Sequence, residues 1–138
     1  MAIKEIVTDL EILQTKSKTA NPSEIGELIR DLIDTAEAHK DRCVGLSAIQ
    51  IGVPLRVCVV WNGERFVPFV NAVICRYLGK KYEAKEGCMS LEGTRKVERF
   101  ERIEVFRRSG NRMVKERYRD FMAEIIQHEL DHFEGKLI

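Results

Sequence analysis

Ile126-Gln127-His128-Glu129-Leu130-Asp131-His132 contains an H-E-x-x-H pentad close to the C-terminus of a chain of 138 residues. On a helix, two histidines four apart lie one above the other, so both imidazoles reach the same ion while Glu129 stands beside it. Tyr118, Phe121, Met122, Ile125, Ile126, Leu130 and Phe133 recur at three- and four-residue spacing and predict a helix with a core-facing stripe. At about 3.6 residues per turn, Glu129 falls inside that stripe and both histidines fall along or near its edge. The competing reading is a helix with two satisfied core histidines and an ordinary salt bridge. An ionised carboxylate on a buried face needs a partner or a cation, and that requirement favours metal chemistry.

Working outward, the length fits one domain over residues 1–138, and 44% hydrophobic with 33% charged residues suffices for a core without disulfides. With 23 basic and 22 acidic residues the formal charge is +1, so no global field points to nucleic acid or an anionic membrane, and no direct nucleic-acid recognition is expected. Basic residues crowd Arg95 to Arg119, but Glu98, Glu101, Glu104 and Glu116 interleave with them, as on the solvated faces of strands. There is no secretory signal pattern and no apolar run long enough to span a bilayer. The expectation is a reduced, cytoplasmic protein whose four cysteines are core residues or metal ligands.

Residues 1–20 are weakly patterned, enough for an arm laid on the core. Asn21-Pro22-Ser23-Glu24 reads as a helix start, with Asn21 as N-cap and Glu24 reaching back, and the apolar face continues to about Lys40. Cys43 to Gly52 is a small-residue loop in which Gln50 places a neutral amide among apolar neighbours. Strands are predicted for Leu55–Trp61, Arg65–Val70 after an Asn62-Gly63 turn, and Ala72–Tyr77. A charged loop follows at Gly79-Lys80-Lys81, then a turn-like Glu86–Ser90 segment, a strand from Lys96 to Arg108 and a return strand from about Met113. This pattern predicts an α+β fold with mostly antiparallel sheets packed around a C-terminal metal-binding helix.

A catalytic site of zinc type takes three protein ligands and keeps one open position. Little sequence follows His132, so the third ligand is expected upstream. Cysteine is the strongest candidate there. Cys88 follows Gly87 in a turn-like segment, Cys58 and Cys75 fall in predicted strands, and Cys43 competes beside its own glycine loop. Spacing leaves that choice open.

Three motifs occur in order: Gly45-Leu46-Ser47-Ala48-Ile49-Gln50, Glu86-Gly87-Cys88-Met89-Ser90 and His128-Glu129-Leu130-Asp131-His132. Together they resemble the G-L-A-A-x-Q, E-G-C-L-S and H-E-x-x-D-H motifs of peptide deformylases, with Ser47 and Met89 as departures and Cys43 where that family has glycine. The resemblance implies metal ligation by Cys88, His128 and His132, general acid/base work by Glu129, and oxyanion contacts from Gln50 and the Met89 N–H. It implies Fe²⁺ as the cellular metal, with Zn²⁺, Ni²⁺ or Co²⁺ as alternatives. The substrate is then an N-formyl-Met peptide or nascent chain. Its methionine occupies a slot lined by Val44-Gly45-Leu46 and Ile125, and Arg95 corresponds to an arginine near the family's substrate groove. Some bacterial members reach the ribosome through a C-terminal segment; this chain ends just after the metal helix, so the ribosome stays a candidate partner and docking by that route is an open question. Two other functions are open at this stage, a small zinc endopeptidase and a metal-binding relative that has lost catalysis.

Overall fold

The computed structural model describes residues 2–138. The elements run α1 (Leu10–Leu13), a 3-10 turn (Pro22–Glu24), α2 (Gly26–Ala38), β1 (Gly45–Ser47), a second 3-10 turn (Ala48–Ile51), β2 (Val57–Trp61), β3 (Phe66–Cys88), β4 (Leu91–Ser109), β5 (Arg112–Arg119) and α3 (Asp120–Phe133). The five strands form one antiparallel sheet in the order β1-β2-β3-β4-β5. The α+β class is as expected, with one continuous sheet in place of several.

Val57, Cys58, Val59 and Val60 are all fully buried because β2 is covered on both faces. Val57 and Val59 pack with Leu32 and Ala36 of α2, whereas Cys58 and Val60 pack with Phe69 of β3, Ile103 and Val105 of β4, and Ile126, Leu130 and Phe133 of α3. Full burial of a side chain such as Phe133 contributes about 3 kcal/mol, so the apolar stripe of α3 fixes the helix against the sheet and with it the pentad. The N-terminal arm backs the site from the other side. Val7 N–H donates to the Gln50 carbonyl at 2.8 Å, and Ser17 N–H donates to the Phe133 carbonyl at 2.8 Å.

Several local expectations are corrected. The predicted strand at 65–70, from its second residue on, the predicted strand at 72–77 and the predicted loop at 79–81 are all parts of β3, whose register shifts at Val70/Val73, Ile74/Arg76 and Leu78/Lys81 are bulges that let a long strand bend. Gly79 takes φ +78° at one of them, and Lys80 N–H donates to the Glu101 carboxylate at 3.1 Å, so a segment that reads as loop is held in the sheet. Asn21 caps a separate 3-10 turn by accepting from Ser23 N–H, and the α-helix proper begins at Gly26. The small-residue loop contains β1 and a 3-10 turn. Tyr118 belongs to β5, and Phe121 is 57% exposed, because α3 starts only at Asp120 and its apolar face sets in a turn later. No helix among the described residues is long and apolar enough to cross a membrane.

Candidate metal centre and active site

The end of β3 and the middle of α3 bring three donors together. One ligand atom each from Cys88, His128 and His132 lie within 4.8 Å of one another. Cys88 Sγ and His132 Nε2 are 3.5 Å apart, close to the separation of about 3.6 Å that tetrahedral bonds of about 2.3 and 2.05 Å to one ion require. The other two cysteines in strands lie elsewhere. Cys58 is buried within the core cluster and Cys75 is exposed, with its thiol 3.3 Å from the Glu104 carbonyl. Cys43 donates its S–H to the Gly45 carbonyl at 3.4 Å, and burial, with the charge of Glu129, pushes its thiol up to about 12.

The surroundings suit a cation. His128 Nδ1 lies 2.8 Å from Glu86 Oε1. Burial opposes ionisation of Glu86, but hydrogen bonds from Arg99 and His128 hold its carboxyl down at about 2, so it only accepts and Nδ1 carries the proton. That leaves Nε2 as the nitrogen facing a ligand, the arrangement by which a carboxylate orients a metal-binding histidine, and a cation bound there takes the place of the Nε2 proton. Arg99 grips Glu86 through two hydrogen bonds of 2.9 and 2.7 Å and Asp131 through one of 2.7 Å, which ties β3, β4 and α3 together beneath the site. Burial disfavours charge on His128, but the Cys88 sulfur, Glu86 and the charge of Glu129 outweigh it and push the imidazole up to about 10. Burial, then the charges of His128 and Arg99, lower His132 to about 3, which keeps it neutral. A thiol sulfur, two imidazoles and neighbouring carboxylates form a set that a divalent ion fits.

Glu129 is 3% exposed, and burial pushes its carboxyl above the usual range against the opposing effects of His128 and Ser47. The Ser47 hydroxyl reaches both its Oε1 at 2.9 Å and its backbone carbonyl at 3.0 Å. Gln50 is held by the Ser47 N–H, which donates to its Oε1 at 3.0 Å, and its Nε2 faces Cys88 Sγ at 3.4 Å and Ser90 Oγ at 3.2 Å. A cavity of about 610 Å³ opens over this group, and Val44, Gly45, Gln50, Met89, Ile125 and Glu129 are among its lining residues. Two residues expected there do not line it. The Leu46 side chain is fully buried in the core beneath β1, and Arg95 donates to the Glu92 carbonyl at 2.9 Å.

Three contributors escaped sequence reasoning. Ser47 reads as a small residue in a small-residue loop, and Arg99 as one cation in a basic third of the chain. Glu86 carried a signal, a carboxylate two residues before a candidate cysteine ligand, but its partner His128 lies 42 positions away.

The match to known proteins covers nearly the whole chain. A family model described as polypeptide deformylase matches residues 3–138. A peptide deformylase of Clostridium beijerinckii is 46% identical over 138 residues, covering 99% of both chains. One of Heliobacterium modesticaldum is 41% identical over 143 residues, covering 99% of this chain and 92% of the relative. Among solved structures, peptide deformylase from Thermotoga maritima aligns with a TM-score of 0.91 at 27% identity, covering 99% of this chain and 95% of that one. The actinonin-bound class I type b peptide deformylase from Acinetobacter baumannii aligns at 0.86 and 27%, covering 99% and 96%. With the family model matched from end to end and curated relatives sharing over two fifths of its residues, the chain belongs to the polypeptide deformylase family.

Proposed function

We propose that Cys88, His128 and His132 hold one divalent metal ion and that Glu129, Gln50 and the Met89 N–H do the chemistry beside it, in one catalytic domain spanning residues 1–138. The chain is a peptide deformylase, a metal-dependent hydrolase that removes the formyl group from N-formyl-Met at the start of new polypeptides. The observation that carries the residue assignment is the convergence of those three ligand atoms within 4.8 Å, beside a buried carboxylate and beneath a cavity. The peptidase and lost-activity alternatives are not favoured by relatives of this identity and coverage.

A divalent ion held there supplies a lowered water pKa and polarisation of the formyl oxygen. Glu129 takes one proton from the attacking water and later passes one to the departing amine, so that water and formamide become formate and a free amino terminus. Its raised pKa suits a group that must hold a proton between those two events, and the Ser47 hydroxyl at 2.9 Å keeps Oε1 in place. Gln50 Nε2 and the Met89 N–H donate to the oxygen on which charge develops. The methionine side chain lies against Val44 and Ile125, and the peptide backbone pairs with the edge of β1 at Gly45. One thiolate lowers the charge of a divalent site to about +1 and softens it; Fe²⁺ is the proposed metal, with Zn²⁺, Ni²⁺ or Co²⁺ as substitutes, and the proposed compartment is the cytoplasm.

The test is metal analysis joined to an assay of formate release from a formyl-Met peptide. Anaerobically purified protein should carry about one ion per chain and release formate without cutting unformylated internal bonds. Cys88→Ala should lose both ion and activity while Cys58→Ala and Cys75→Ala keep the ion; equal retention in Cys88→Ala would sink the ligand assignment.

A further inference from the structure

The outer face of the β3–β5 meander carries charge that the deformylase site does not use. Register and alternation put Arg102, Glu104, Phe106 and Arg108 of β4 opposite Arg119, Arg117, Lys115 and Met113 of β5, while Arg76 and Val73 of β3 oppose Glu104 and Phe106 from the other side. Side-chain contacts agree with that placement. Glu104 is bound by Arg117 Nε at 2.7 Å and approached by Arg76 Nη1 at 3.7 Å, and the Lys115 ammonium lies 5.7 Å from the centre of the Phe106 ring. Ile103 and Val105, which alternate with these residues, face the core and are fully buried. Arg102, Lys115, Arg117 and Arg119 are exposed, and so is Phe106 at 41%.

Six cations therefore share this face with Glu104, itself only 4% exposed and covered by two guanidinium groups. Glu116 points to the opposite side, where it pairs with Arg107 at 2.7 Å. Asp120 stands 3.7 Å from Arg119, but both side chains are more than four-fifths exposed and such a pair is weak. The net charge of +1 hides this segregation, and so does the interleaving of acids and bases along the strands. Arg102 and Arg119 also reach a second cavity of about 460 Å³, but its lining includes Glu101, Asp120 and Glu124, so the cationic face gives way to carboxylates before the rim of the active site.

We infer that this face docks single-stranded or looped RNA, the cations along phosphates and the exposed Phe106 ring beneath an unpaired base. A sheet that displays an aromatic ring among guanidinium and ammonium groups is chemically matched to an unstacked strand; an acidic peptide would use the charges and leave the ring idle. The expectation of no nucleic-acid recognition rested on net charge and on interleaved glutamates, and folding separates the two signs.

The test is fluorescence anisotropy of a labelled, unstructured RNA of about 12 nucleotides with the intact metal-loaded protein, starting from about 50 mM salt. Neutralising four or five phosphates predicts that log K falls with log salt at a slope of about −3. Lys115→Glu should weaken binding at least about 10-fold and Phe106→Ala at least about 5-fold, while Lys40→Glu, the same charge change just beyond α2, should stay within about 2-fold. Unchanged turnover of a formyl-Met peptide in all three variants shows that they are folded. Absence of binding at low salt overturns the inference, as does equal weakening by Lys40→Glu. Displacement of the RNA by polyglutamate or by phosphatidylglycerol vesicles as readily as by unlabelled RNA overturns it too, because the surface would then be a general anion or lipid face.

Discussion

Gln50 is held at one end of its amide and free to donate at the other. The Ser47 N–H fixes Oε1, so Nε2 must point toward Cys88 and the cavity. If that donor meets developing charge on the substrate oxygen, Gln50→Leu should lower kcat by about 10²- to 10³-fold with little change in metal content; a change of a few-fold would return Gln50 to tethering its loop. At this scale the pentad was legible because a four-residue helical spacing is itself a geometric statement. Ser47 and Arg99 were not legible. Their partners Glu129 and Asp131 lie 82 and 32 positions along the chain, and no periodicity links positions that far apart.

Strand β1 and helix α3 approach so closely at Gly45 that a Cβ there would stand 2.6 Å from Glu129 Oε2 and 2.9 Å from Ile125 Cγ2. Gly45→Ala must push the carboxylate or the strand aside. Turnover should fall at least about 10-fold through lost positioning, with the fold intact by circular dichroism; wild-type turnover would show that the contact relaxes without consequence. The sequence pattern does mark Gly45 as a place for close approach, though it cannot say what approaches. It gave β2, the β4–β5 turn and the body of α3 through burial patterns and turn residues. It broke β3 into pieces because bulges interrupt the two-residue alternation on which strand reading depends.

For the whole molecule, the α+β class and the family were legible, since three short motifs in order span most of the chain. Which face each charge occupies was not, because alternation assigns faces only once register and bulges are known. The Arg117 hydrogen bond to Glu104 is the main influence on that carboxyl and holds it below its ordinary value of 4.5, against the opposing effect of burial. The folded protein therefore binds this proton less tightly than the unfolded chain does. The stability it contributes is complete above the ordinary value and is lost as pH falls through the lowered one. Thermal melts from about pH 6 down to about pH 2 should show a flatter acid limb for Glu104→Gln than for wild type, and superimposable limbs would remove the ion pair from the account. The central claim is that a buried carboxylate beside a Cys88-His128-His132 metal site carries the protons of deformylation. Glu129→Gln keeps the shape of that side chain and removes its basicity, so the decisive measurement is formate release from a formyl-Met peptide with metal content determined on the same sample. The account predicts an undiminished metal content with turnover lower by at least about 10²-fold. Near-wild-type turnover with the metal still bound would contradict it.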